Sequence, residues 1–200
     1  MRRALSIAAA VLCVSAALTG CSFVKAVKIG EEGKYTGAKT FNASDESSAD
    51  WTNIVADIKK QAEKNDLASL LEDGGLKKPE AVTLKGKVVS FESMANGKKT
   101  YLVVVPDGYK GKTEVDVQTG SIYTGTAVRD VQNEKKFEDF TNQTEWSEYA
   151  KSLNAEVDSN VIAALDFAKN DPTGKTVTLT GAAESTAGKV VVTPVEMTVE

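Results

Sequence analysis

Residues 81–108, AVTLKGKVVSFESMANGKKTYLVVVPDG, decide how this chain is read. Two runs rich in β-branched residues, 81–93 and 100–108, flank Met94-Ala95-Asn96-Gly97. Asn-Gly between such runs is the strongest short-range signal of a hairpin. A third run, TEVDVQTG at 113–120, follows Asp107-Gly108 and Gly111. Its Val115 and Val117 alternate with acids, which predicts a strand with one wet face. SIYTGTAVRD at 121–130 continues that strand or adds another. Toward the end of the chain, KTVTLTGAAES (175–185) and GKVVVTPVEMTVE (188–200) read as a second hairpin, with Pro194 marking an edge or a bulge.

The period changes twice around these strands. ADWTNIVADIKKQAEKNDLASLLED (49–73) places Trp51, Ile54, Val55, Ile58, Ala62, Leu67, Leu70 and Leu71 at helical spacing. Ser47 and Ser48 offer N-caps, and Gly74-Gly75 supplies a stop. The apolar stripe reads as a core-facing surface with Trp51 in it. TEWSEYAKSLNAEVDSNVIAALDFAKN (144–170) repeats the helical pattern, and Asn142 with Glu145 forms a capping pair at its start. Three strands, a helix and a closing hairpin is the element order of the oligonucleotide/oligosaccharide-binding barrel, and Gly86 would suit the bulge such a barrel needs to curve. The fold class is therefore α+β: a five- to six-stranded antiparallel β-barrel (OB-like) or curved sheet, with one inserted helix and an N-terminal helical extension. An open sheet covered by two helices fits the same order.

The first residues have a different build. Arg2 and Arg3 precede an apolar run, Ala4–Leu18, and small residues lead to Cys21. The run is shorter than the roughly twenty residues needed to span a bilayer, so a cleaved signal is the better reading than a transmembrane helix. Leu18-Thr19-Gly20-Cys21 resembles the lipobox of bacterial lipoproteins, in which the cysteine sulfur is acylated and the peptide cut just before it. The expected organisation is a signal at 1–20, a lipidated N-terminus and tether at 21–48, and one α+β domain at 49–200, made of a helix at 49–75 and a β-rich part at 81–200. Two or three acyl chains hold a protein firmly to a membrane, since each buried methylene contributes about 0.8 kcal/mol. The protein is expected outside the cytoplasm, lipid-anchored to the cell membrane.

Inventory removes much of the catalytic repertoire. The chain has no histidine and two cysteines, Cys13 within the signal and Cys21 at the acylation point. Catalysis by Ser-His-Asp or Cys-His, and zinc sites built on His or Cys, are excluded. Without Arg2 and Arg3 the balance is 22 basic against 28 acidic residues, a net charge of 22 − 28 = −6. Such a chain lacks the basic clusters that phosphate contacts require, so no nucleic-acid partner is expected. The glycines make no phosphate loop, and no two acids stand out as a glycosidase pair. No enzyme activity, cofactor or metal is expected. The most unusual polar clusters are GTAVRD (125–130) and FEDFTNQTEW (137–146). Within them Arg129, Asp130, Asn142 and Gln143 are the candidate binding residues, because a guanidinium fork and carboxamides suit carboxylates and polyols. Phe137, Phe140, Trp146 and Tyr149 are candidate stacking rings.

These motifs, together with VKIGEEG (27–33), Thr36-Gly37, FEDFTNQTEWSEYAKSLNAEV (137–157), GKTVTLTGA and VVVTPVEM in this order after a lipobox, resemble a family of predicted periplasmic lipoproteins classed as a domain of unknown function. The resemblance spans nearly all of the chain beyond the signal. It implies a lipid-anchored extracytoplasmic protein and, as partners beyond the membrane, sugar transporter components of the ATP-binding-cassette type. It carries over no catalytic residues. The resulting expectation is a non-enzymatic accessory or binding protein linked to carbohydrate uptake, with a cell-envelope glycan- or peptide-binding module as the alternative. Replacing the acylated cysteine, Cys21→Ser, is expected to abolish lipid labelling and move the protein from the membrane to the soluble fraction on fractionation.

Overall fold

Strand formation follows the alternation of apolar residues. In the computed structural model, which describes residues 41–94 and 97–200 and only the backbone of Lys99, β1 spans Glu80–Met94, β2 Lys99–Pro106, β3 Val115–Gln118, β4 Thr176–Thr186 and β5 Lys189–Val199. The signal, the lipobox with Cys21, and the tether up to residue 40 lie outside the described residues. The strands close into a barrel in the order β1-β2-β3-β5-β4, antiparallel except where β3 runs parallel to β5. Of the two architectures compatible with the element order, the barrel is the one that forms, with five strands. SIYTGTAVRD adds none: it is a loop leading into a short helix.

β1 is shared between two pairings. Its Gly86–Met94 part pairs with β2 and its Glu80–Lys87 part with β4. Gly86 lies where the two overlap, opposite both Pro106 and Val177. A Cβ there would collide with the Val105 carbonyl oxygen and stand 2.9 Å from Pro106 Cα. The expectation of a bulge at Gly86 is thus corrected: the glycine permits close backbone approach, and the extra residue is Val89, between the Val88–Val104 and Ser90–Val103 pairs. A second irregularity, between the Thr180–Glu196 and Gly181–Pro194 pairs, puts the Pro194 region at a bulge as its sequence indicated. Val82, Leu84 and Val88 of β1, Leu102 and Val104 of β2, Val115 and Val117 of β3, and Val190 and Val192 of β5 fill the interior, each at most 2% exposed.

Two helices precede the barrel, α1 (Ala43–Ala62) and α2 (Leu67–Glu72), and two are inserted between β3 and β4, α3 (Ala127–Val131) and α4 (Gln143–Val157). α1 packs on α4 and on β1. Ile54 and Ile58 of α1 and Tyr149, Leu153 and Val157 of α4 are wholly buried, each contributing about 1.5–3 kcal/mol by leaving water. Polar ties fix the pair: Tyr149 Oη donates to Asp50 at 2.9 Å, and the Ser47 and Ser152 hydroxyls are 3.0 Å apart. Beyond α4 the chain makes a π-helical turn, Asp158–Ile162, and a 3-10 turn, Ala163–Leu165.

The first helix departs from its expected bounds in two ways. It begins at Ala43, within the stretch read as tether, because Asn42 Oδ1 accepts from Ser44 N and Asp45 N; Ser47 is buried in the helix interface and does not cap it. It also breaks before Leu67, where Asn65 turns toward the sheet: Thr83 N donates to Asn65 O at 2.9 Å and Asn65 Nδ2 to Ala81 O at 3.0 Å. Gly74-Gly75 does end the second piece, with Gly75 N bonded to Leu70 O. Trp51 is half-buried at the edge of the stripe and leaves the core contact to Ile54 and Ile58. Adding one methyl at the β1 crossing, Gly86→Ala, is expected to lower stability by about 1–3 kcal/mol or more, because the neighbour is backbone and cannot yield; urea unfolding measures it.

Candidate functional site

The period of two that buries Val115 and Val117 turns Asp116 and Gln118 to the outside of β3. The same rule, anchored by Leu102 and Val104 in β2 and by Val190 and Val192 in β5, turns out Tyr101, Val103, Lys189 and Val191. Register brings them side by side: Tyr101 is opposite Gln118, Val103 opposite Asp116, and Asp116 opposite Val191. A cleft of about 200 Å³ lies over these strands, walled by Met94 at the end of β1, by Thr124, and by Thr186-Ala187 at the β4–β5 turn. It is smaller than the roughly 300–1,000 Å³ of pockets for drug-sized ligands.

This outer face was expected to be wet, and the structure corrects that: Asp116 is only 9% exposed and Gln118 4%. Burial follows from the turns that rise around the strands. Gln118 is fully committed to holding one of them, donating Nε2 to Thr124 O at 3.0 Å and to Thr193 Oγ1 at 2.8 Å while Oε1 accepts from Thr124 N at 2.5 Å. Asp116 is in a different position. Its Oδ2 is 3.4 Å from Lys189 Nζ, but its buried Oδ1 has no hydrogen-bond partner. Lys189 is ion-paired to Glu114 and stands 5.9 Å from the centroid of the Tyr101 ring.

Burial pushes the Asp116 carboxyl above the usual range, and the attraction of Lys189 only partly opposes it. Hydrogen bonding to Lys189 holds Glu114 below its ordinary value, and the same bond raises Lys189. Burial, followed by the charge of Asp116, raises the Tyr101 phenol. The site thus has a fixed cation leaning toward Glu114, an aromatic wall, and one carboxylate oxygen in need of a donor.

The residues singled out by sequence lie elsewhere, and none of the four lines the cleft. Arg129 bonds Asp130 through Nε at 2.8 Å and Nη2 at 2.6 Å, and its guanidinium sits 4.5 Å from the Trp146 ring centroid. Asp130 also accepts from Thr126 Oγ1 at 2.6 Å. Asn142 caps α4, accepting from Thr144 N and Glu145 N, and Gln143 is an exposed first-turn residue of that helix. The rings pack on one another: Phe140 is 5.0 Å from Trp146, and Tyr149 stacks on Trp146 at 6.2 Å. Gly125 has its own reason in packing, since a Cβ on it would overlap the Glu184 carboxylate. Burial, with Asp130 nearby, raises Glu184 above the usual carboxyl range. The GTAVRD cluster therefore seats α3 on β4 and α4.

Sequence reasoning passed over Tyr101, Asp116, Gln118 and Lys189. The signal was present in VDV: an acid at the outward position of the third strand of an expected barrel. Another hollow, of about 400 Å³, runs beside the π-helical turn between Phe91, Phe167 and Asp158. Among the described residues no group of three or more His, Cys, Asp or Glu is arranged to hold a metal.

A family described as "Predicted periplasmic lipoprotein (DUF2291)" matches residues 11–198. No curated protein matches the chain. Among solved structures, an OB-fold protein of Thermotoga maritima is similar at 14% identity with a TM-score of 0.59, covering 81% of this chain and 100% of its own. At that identity the likeness is one of fold. An OBody bound to hen egg-white lysozyme, 14% identical over 71% of this chain and 90% of its own, has a TM-score of 0.28 and carries no argument.

The raised Asp116 carboxyl gives a stability prediction with a definite sign. Folding favours its protonated form, so its contribution is fully present below the ordinary value of 3.8 and is lost as pH rises through the higher folded value. Asp116→Asn is expected to raise the thermal unfolding midpoint at neutral pH, with the gain shrinking as pH falls toward 3.8.

Proposed function

The chain belongs to the family of predicted periplasmic lipoproteins, and on that premise we propose that it is a lipid-anchored binding protein whose barrel cleft holds a saccharide outside the cytoplasm. The observation that carries the reading is the unpartnered Oδ1 of Asp116, buried at the floor of the cleft beside the Tyr101 ring. An acceptor kept buried without a donor is destabilising unless something brings one. A sugar supplies hydroxyl donors and an apolar ring face for the aromatic wall. The position supports the same reading, since barrels of this kind bind oligosaccharides and oligonucleotides over strands 2 and 3 and the loops beside them. Local acidity favours the first of those two ligand classes.

Attachment is assigned to acyl chains on Cys21. Among the described residues no helix is long and apolar enough to cross a membrane. With twenty residues between Cys21 and Asn42, a fully extended chain at about 3.3–3.6 Å per residue could carry Asn42 up to roughly 70 Å from the anchor. That reach serves both sources of a saccharide, a wall glycan or a sugar handed to an uptake system. The proposed role is one of binding, and Asp116 is the single carboxylate among the residues that line the cleft.

The test is calorimetric titration of the full chain in detergent micelles with neutral hexose oligomers, amino-sugar oligomers and purified wall fragments. At least one class is expected to bind, and Tyr101→Ala to weaken it about tenfold or more, roughly 1.4 kcal/mol. Absence of binding by every class, or binding indifferent to Tyr101→Ala, overturns the proposal. Crosslinking from intact membranes separates the sources: wall fragments mark a glycan-holding module, and permease or solute-binding subunits mark an accessory of sugar uptake.

A further inference from the structure

Among the described side chains the charge around the cleft is not balanced. Glu92 lies across from Tyr101 in the β1–β2 pairing, Glu114 is ion-paired to Lys189, and Asp116 forms the floor. Three carboxylates against one ammonium leave a local charge of 1 − 3 = −2 among these groups. A neutral ligand leaves that excess in place, and an anionic one is repelled.

Lys189 shows what the site stabilises. Its ammonium is held by Glu114, lies 3.4 Å from Asp116 Oδ2, and is within the roughly 6 Å reach of a cation–π contact with Tyr101. These are the partners a cationic ligand seeks, and they are incompletely used. Lys189 leans toward Glu114 and leaves the buried Asp116 Oδ1 without a donor, so the carboxyl is not fully satisfied within the protein.

We propose that the sugar held in the cleft carries a free ammonium group, with the Asp116 carboxyl as its acceptor, the Tyr101 ring as its flank, and Lys189 as the internal cation it competes with. This rests on the saccharide reading above and narrows it to amino sugars that are not acetylated on nitrogen. An acetamide presents a neutral donor, whereas an ammonium adds the direct attraction of opposite charges to the Asp116 carboxylate. Acetylation also adds bulk to a cleft of about 200 Å³.

The deciding experiment compares a glucosamine tetramer with its fully N-acetylated counterpart, titrated into the full chain in detergent micelles at a pH where the amines are protonated. The free amine is expected to bind at least about tenfold more tightly, as loss of a charge-assisted bond implies, and added salt to weaken it. Asp116→Asn is expected to abolish the difference. Lys189→Ala is expected to enlarge it, because a competing ammonium is removed; a purely structural role of Lys189 would not produce that sign. Thermal unfolding of each variant confirms that it is folded. Equal binding of both tetramers, or a smaller preference in Lys189→Ala, overturns the ammonium assignment and leaves the saccharide reading standing. Binding of neither tetramer while neutral hexose oligomers bind does the same, and failure of all saccharides overturns both.

Discussion

One strand holds the barrel together. β1 is long enough to pair with β2 along one part and with β4 along the other, and it can turn between them only because Gly86 lets its backbone meet that of Val105 and Pro106. The turn carries β4 and its partner β5 around to β3, where the parallel pairing of Val115–Val117 with Val190–Val192 closes the circuit. Closure leaves β2, β3 and β5 without a free edge, and it brings Asp116 and Lys189, 73 residues apart, onto one face. The cleft is a consequence of closure more than of any local motif.

Within that cleft, two buried polar residues differ in how fully the protein satisfies them. Gln118 satisfies every one of its hydrogen-bonding groups internally and so serves the fold. Asp116 is disfavoured in its charged form by burial, more than Lys189 relieves, and one oxygen is left over. Residues that work against stability in this manner are found where a protein meets a ligand. The helices provide the opposite case. Arg129 on Trp146, Asn142 at the start of α4 and Tyr149 on Asp50 are polar contacts satisfied within the protein, and they fasten the helical layer to the barrel.

This contrast explains what could be read in advance. Strand and helix periods are local, so β1, β2, β4, β5, α4 and the stop at Gly74-Gly75 were legible from residue spacing. Caps were legible where the competing residue had no tertiary partner: Asn142 was found, whereas Ser47 looked like a cap until its hydroxyl proved to face Ser152. Arg129, Asp130 and the aromatic residues stood out because they are chemically distinctive, yet their distinctiveness serves packing. Asp116 did not stand out, because an acid alternating with valines in a strand looks like an ordinary solvated position. In the closed barrel it lies between Val103 and Val191 on the neighbouring strands and is buried.

The sequence by itself determined the α+β content, the order of elements, the resemblance to the periplasmic lipoprotein family and the absence of any histidine-based chemistry. All of these depend on composition or on spacing within about twenty residues. Tertiary structure alone decided that the sheet closes, that β3 meets β5 in parallel, and that Tyr101, Asp116 and Lys189 face one another across a cleft. The physical reason is that closure and burial depend on contacts between strands far apart in the chain, and a side chain's environment changes from water to protein only when those distant strands arrive.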